Sequence, residues 1–300
     1  MLVELCGVKG QVAGQQGYTT GLYNRAIRWK GQSLIKLIAS DMDGTFLAPD
    51  CSVPQGSFDL INQLREQGVM FVAASGRRYD SLHAWFGPIA DQIGYVASSG
   101  AQVYDAGHLV GHETFSHAAL YRLKRMIDVF DTLHLLVFDD THTFMLDDVI
   151  SYMPELDKDM PHQVRVDDLP APQVPIIKAS IYCDESPMDM AYVLSRELGS
   201  DFVFAPSGRR WIDVLPLKLN KAQGLEQIMR LHDIVPQEVV AFGDSMNDYE
   251  LLRMAGTGIA VSNARYALRQ IADRVIDANA LMSVQATMQT ILDGSFTPAV

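Results

Sequence analysis

From Leu34 onward the chain alternates short unbroken apolar runs with amphipathic stretches. LIKLIAS (34–40) stops abruptly at the polar segment DMDGT, as a buried parallel strand does when it feeds a loop. The next stretch, PQGSFDLINQLREQG, places Phe58, Ile61 and Leu64 at helical spacing and closes on Gly68, a helix-ending signal. VMFVAAS (69–75) and IGYVAS (93–98) predict two further buried strands, ending at Ser75-Gly76-Arg77 and at Ser99-Gly100. Strand, helix and strand with polar residues at each strand's carboxyl end is the doubly wound α/β pattern, whose ligands bind in that crevice.

The middle of the chain has another texture. Residues 116–130 predict a helix, and LHLLVFDD (133–140) with THTFML (141–146) predicts a hairpin. An irregular Pro/Asp-rich stretch follows at 147–172, then VPIIKASIYC (174–183), a helix over 186–199 and the strand DFVFAPS (201–207). The α/β texture resumes with WIDVLP, a helix from Lys221 to Leu231, the strand EVVAFGD, the helix NDYELLRMAG and the strand TGIAV. The expected architecture is a Rossmann-like core of parallel strands (34–115 and 206–300) interrupted by an α+β cap (116–205).

Residues 1–33 show neither period and lack the apolar stretch of a secretory signal, so they read as a flexible extension, or as a start placed upstream of a true one near Leu34. No uncharged apolar run approaches the roughly 20 residues that span a bilayer. Lys plus Arg number 24 against 36 Asp plus Glu, a net charge of −12, which argues against nucleic acid as a partner. Cys6, Cys51 and Cys183 form no CxxC pair, so neither a disulfide framework nor a zinc-thiolate site is expected, and a reducing cytoplasm is the simplest location.

Four carboxylates carry the candidate chemistry. Asp41 and Asp43 follow the first core strand, and Asp244 and Asp248 follow EVVAF, so the topology brings all four to one rim of a parallel sheet. Two carboxylates about 4 Å apart repel by roughly 4 kcal/mol at an effective dielectric near 20, so such a cluster needs a proton or a hard cation. An all-oxygen set favours Mg²⁺ over zinc. Each Asp alone could be a turn or cap residue, Asp248 above all, since it directly precedes a helical run. Together with Ser75 at a second strand end and Lys221 opening a helix, the set fits phosphoryl transfer. Asp41 would attack phosphorus, and Asp43 would protonate the leaving oxygen and then activate water. Ser75 and Lys221 would hold phosphoryl oxygens, and Gly44 would let backbone N–H groups turn towards them.

DMDGT, the strand ending in SGR, Lys221 in LNKAQG and GDSMNDYELL resemble the four motifs of the haloacid dehalogenase superfamily. Their order, and the long insertion between the second and third, resemble Cof-type phosphatases with a type 2B cap. The resemblance spans 34–300. It implies Asp41 as nucleophile and Asp43 as general acid/base. It also implies Mg²⁺ held by Asp41, the Asp43 backbone carbonyl and Asp244, with Asp248 in support. Thr45, Ser75, Gly76, Lys221 and Asn247 would contact phosphate or position its neighbours. Ser99 and Ser262 depart from the Asn and Gly usual at their positions, and ANALMSVQ lacks the common Gly-Val pair. The expectation is a cytoplasmic Mg²⁺-dependent phosphatase acting on small phosphomonoesters (sugar phosphates, or phosphorylated cofactor or nucleotide precursors) as a monomer or weak homodimer. A phosphomutase of the phosphomannomutase type is the alternative, and a regulatory protein switched by phospho-aspartate a remote third.

Other signals carry less. His108 and His112 with Glu113 are not HExxH, and their flanking glycines predict a turn. The GxG of AGTGIA leads into a strand, unlike a dinucleotide-binding fingerprint. SGRR (207–210) reads as solvated charge or an anion contact, and FDDTHT (138–143) as an ordinary turn or a specificity loop.

Overall fold

The computed structural model describes residues 35–146, 162–207, 209–217 and 219–299; the sequence expectation for residues 1–33 lies outside them. Two sheets organise the chain. The first has eight strands in the order β14-β13-β12-β1-β2-β3-β4-β5. Its parallel part comprises β14 (Arg274–Ile276), β13 (Thr257–Val261), β12 (Val239–Gly243), β1 (Leu37–Ser40), β2 (Met70–Ala74) and β3 (Gly94–Ala97). Two antiparallel strands, β4 (Gln102–Asp105) and β5 (His108–His112), extend one edge. The second sheet, in the order β10-β11-β9-β6-β7-β8, comprises β6 (Leu133–Phe138), β7 (Thr143–Met145), β8 (Gln163–Arg165), β9 (Lys178–Cys183), β10 (Phe202–Ser207) and β11 (Trp211–Pro216).

Central strands β1, β2 and β12 are buried at every residue, which is why they read as continuous apolar runs. Both faces of the first sheet are covered. Phe71 packs against Phe46 and Phe86, the latter on α2 (Tyr79–Phe86), and Phe86 also meets Phe58 on α1 (Ser57–Glu66). Its neighbour Val72 points the other way, where it and Ile228 of the later helix at 221–231 both crowd Gly94. In the second sheet, α3 (His117–Ile127) and α4 (Pro187–Leu198) cover one face, in a cluster with Leu135, Val137, Ala179, Ile181, Ile212 and Val214. Among the described residues the other α-helices are α5 (Lys221–Leu231), α6 (Tyr249–Met254), α7 (Tyr266–Ile271) and α8 (Ser283–Leu292), all after the second sheet.

Three expectations change. WIDVLP, read as a core strand, is β11, paired antiparallel to both β9 and β10, so the cap sheet extends to Pro216 and the boundary at 205 is too early. Its local alternation fits a strand in either sheet, and only tertiary pairing decides. His108–His112 is a strand, the turn being at Ala106-Gly107, where both φ angles are positive. Part of the stretch expected to be irregular forms β8, which runs parallel to β7; residues 147–161 of it lie outside the described residues. The predicted helix at 221–231 and hairpin at 133–146 are present as α5 and β6–β7.

Candidate active site

The strand order reverses at β1. The chain runs from β1 outward to β2 and β3, and returns to place β12 on the other side of β1, which opens a crevice at their carboxyl ends. Ser40 pairs with Phe242 across that junction, so Asp41 and Asp244 emerge side by side although 203 positions apart (244 − 41). Asp41, Asp244 and Asp248 each present a carboxylate oxygen within 4.8 Å of the others. Lys221, fully buried at the start of α5, donates to Asp41 Oδ1 at 2.5 Å and to Asp248 Oδ1 at 2.6 Å. Asn220 caps that helix by accepting from the Gln223 N–H, which fixes where Lys221 begins.

The loop geometry explains the residue types. Gly44 has φ +79°, and a Cβ there would sit 2.7 Å from Asp244 Oδ2. Only glycine lets the 41–45 turn pass so near the second carboxylate. Asn263 donates to the Gly44 carbonyl at 2.8 Å and ties this turn to the loop after β13. On the α5 side, Gly100 has φ +106°, and a Cβ would lie 2.4 Å from the Asn220 carbonyl. Ser98 and Ser99 before it are also left-handed.

With every group charged, three carboxylates and one ammonium sum to −3 + 1 = −2. Burial first, then Asp248 and Asp244, push the Asp41 carboxyl well above the usual range against the opposing pull of Lys221. Burial and Asp248 likewise raise Asp244. Burial alone would lower the Lys221 ammonium, but Asp248 and Asp41 outweigh it and raise it, so it stays charged. A divalent cation would bring the cluster to neutrality, and the oxygen-only donor set suits Mg²⁺. The residues present fit such an ion.

Not every candidate takes the place expected of a metal ligand. Asp248 belongs to the cluster, but Lys221 holds one oxygen, and the other accepts from the Asp244 and Ser245 N–H groups at 3.1 and 3.0 Å. That is a supporting position. The Asp43 carboxylate lies outside the cluster and accepts two hydrogen bonds of 2.8 Å each from Arg77, whose guanidinium rests 4.8 Å from the Trp85 ring centre. Thr45 is buried and donates to Asp244 Oδ1 at 3.4 Å. Ser75 is buried, and its hydroxyl accepts from the Arg77 N–H. Gly76 offers its carbonyl to Lys178 from the cap. Asn247 is exposed on the turn before α6.

Sequence reasoning assigned no role to Arg77, Asn263 or Lys178. Arg77 stood in the quoted SGR, and Lys178 was a charge inside the apolar run VPIIKASIYC, which is itself a signal. Of SGRR (207–210), Gly208 lies outside the described residues, and Arg210, just before β11, pairs with exposed Asp184. FDDTHT forms the β6–β7 turn. Its Asp140 accepts from Arg78 through the backbone carbonyl and from Gln102 through the carboxylate, so this turn docks on the core.

Residues 38–287 match the haloacid dehalogenase-like hydrolase family. A relative from Escherichia coli (strain K12), 5-amino-6-(5-phospho-D-ribitylamino)uracil phosphatase, is 31% identical over 237 residues, 78% of this chain and 88% of its own. An HMP-PP phosphatase from Cronobacter sakazakii is 28% identical, covering 77% of this chain and 85% of its own. Among solved structures, a haloacid dehalogenase-like hydrolase from B. subtilis superposes with a TM-score of 0.74 at 21% identity, over 85% of this chain and 99% of that one. Among the described residues no helix is long and apolar enough to cross a membrane. An acidic cluster at the switch point of a doubly wound sheet, a buried lysine between two of its members and a family match along most of the sequence agree: the chain belongs to the haloacid dehalogenase-like hydrolases, as an enzyme of their phosphatase branch.

Proposed function

We propose that the protein is a Mg²⁺-dependent phosphatase that hydrolyses small phosphomonoesters in two in-line displacements through a phosphorylated Asp41. The observation that carries this reading is the placement of Asp41 between Lys221 and Asp244 at the rim of the crevice. Asp41 attacks phosphorus and the ester oxygen leaves as an alcohol, taking its proton from Asp43. Water then attacks the aspartyl phosphate, Asp43 accepts its proton, and phosphate departs with the Asp41 carboxylate restored. Lys221 orients Asp41 and offsets charge, while Asp248 fixes Lys221 from the far side. Thr45, Ser75, Gly76 and Asn247 line the phosphate position. Asp41, Asp244 and the Asp43 carbonyl would hold Mg²⁺, which would supply charge neutralisation at the phosphoryl oxygens.

Arg77 holds Asp43 with both carboxylate oxygens occupied, so Asp43 must exchange one of these bonds to reach a leaving group. The segment 116–216 acts as a lid that gates access. The substrate panel holds sugar phosphates and phosphorylated cofactor or nucleotide precursors, and it includes the compounds in the two relatives' names, 5-amino-6-(5-phospho-D-ribitylamino)uracil and HMP-PP. We place the enzyme in the cytoplasm as a monomer or weak homodimer. The test is phosphate release from an aryl phosphate with Mg²⁺ or with EDTA, for the wild type and Asp41→Asn. Turnover is expected only with metal and only in the wild type; turnover surviving in Asp41→Asn would remove Asp41 as nucleophile.

A further inference from the structure

The face of the cap sheet opposite α3 and α4 carries Lys178, Ser180 and Asp213 together. Lys178 and Ser180 stand two positions apart on β9, and Asp213 of β11 is the registered cross-strand partner of Ser180. Asp213 Oδ1 accepts from the Ser180 hydroxyl at 2.9 Å and faces Lys178 Nζ at 3.3 Å. Lys178 also donates to the Gly76 carbonyl at 3.4 Å, across the gap between cap and core. This face therefore overlooks the loop that follows Ser75. Both charged side chains stay partly open, Lys178 at 21% and Asp213 at 26% exposure.

Resting on the phosphatase reading, we infer that Lys178 and Asp213 form the subsite for the leaving group, and that they select a neutral, hydroxyl-bearing carbon chain over a second anion. The charge balance decides between these. The pair sums to zero, so a second phosphate would meet the Asp213 carboxylate as well as the Lys178 ammonium. Two further cations on the core side are matched in the same way, Arg77 by Asp43 and Arg78 by Asp80. A hydroxyl both donates and accepts, so it can donate a hydrogen bond to the Asp213 carboxylate and accept one from Lys178. Ser180 acts through Asp213 as a positioning residue, holding its carboxylate beside Lys178. The next pair on the same face, Tyr182 and Trp211, lies roughly 7 Å further along the strands, which sets the length of chain the polar group reads.

The experiment compares kcat/KM for ribitol phosphate, butyl phosphate and a sugar bisphosphate, with an aryl phosphate as the generic control. The wild type should prefer ribitol phosphate to butyl phosphate by about tenfold or more, since a site built to bond a hydroxyl rejects the analogue lacking it. That preference ratio should fall about tenfold in Lys178→Met and in Asp213→Asn, chiefly through KM. Ser180→Ala should lower it less, and its small change on a packed strand keeps the test available if a charge variant does not fold. An unchanged ratio in all variants that fold would reduce the trio to a contact between cap and core and overturn the inference. So would a wild type that prefers the bisphosphate or ignores the hydroxyls. A wild type inactive on every ester including the aryl phosphate would instead overturn the phosphatase reading beneath it.

Discussion

Replacing Lys221 with methionine removes a buried ammonium from among three carboxylates while keeping most of its volume. Its contacts of 2.5 and 2.6 Å with Asp41 and Asp248 each correspond to about 6–7 kcal/mol of Coulomb attraction at an effective dielectric near 20. Desolvation of the fully buried ammonium cancels most of that gain. What the substitution exposes is the other half of the balance, because carboxylates that were compensated become buried and unpaired. Breaking a buried pair in this way costs about 3–5 kcal/mol. The assay is denaturant unfolding of both proteins without divalent metal, at pH 7.5 and near pH 5. The loss should be larger at pH 7.5, since at lower pH the carboxyls already pushed upward by burial take up protons and need less compensation. Asp248→Asn in the Lys221→Met background should recover more than about 1 kcal/mol, as expected for partners in one network. A loss below about 1 kcal/mol at both pH values would refute the description of Lys221 as the counter-charge of the cluster.

Three further outcomes follow from the same geometry. Because the folded-state carboxyls of Asp41 and Asp244 are raised, their contribution to stability is full at acid pH and is lost as pH rises through those raised values. Mg²⁺ should therefore stabilise the fold more at pH 7.5 than near pH 5, by about 2.7 kcal/mol at pH 7.5 for a hundredfold excess over Kd; melting temperatures with and without Mg²⁺ check this, and an equal shift at both pH values would count against the cation site. Gly100→Ala should destabilise by about 2–4 kcal/mol and lower kcat, because its Cβ would press 2.4 Å from the Asn220 carbonyl and displace the start of α5; thermal melts and turnover check both effects. Ser99→Gly should gain a few tenths to about 1 kcal/mol by relieving a left-handed φ of +57°, and a destabilised variant would show that the serine side chain does more than occupy the turn.

Much of this could be read from local pattern. Strands such as Met70–Ala74 are apolar at every position because helices cover both faces, and the α5 periodicity begins where Asn220 caps it. The acidic rim was legible because parallel strands must deliver their loops to one side of the sheet. What escaped depends on pairings between distant segments. Whether Trp211–Pro216 joins the core or the cap is decided by β9, not by the strand's own residues. Arg77 meets Asp43 from 34 positions away, and Lys178 meets Gly76 from 102, and no local period encodes either meeting.

The pairing of β1 with β12 also sets an order of events during synthesis. Leu37–Ser40 leaves the ribosome early, but its neighbour Val239–Gly243 and the loop bearing Asp244 come about two hundred residues later. At about 5–20 residues per second the central strand waits roughly 10–40 s with one edge unpaired. The whole cap is made in that interval, and α3, α4 and the second sheet form their own apolar cluster, which allows the cap to collapse first. The acidic cluster closes only when nearly all the chain exists, so a truncated translation product carries Asp41 without its counter-charge, and a nascent chain has an open sheet edge for a chaperone to shield.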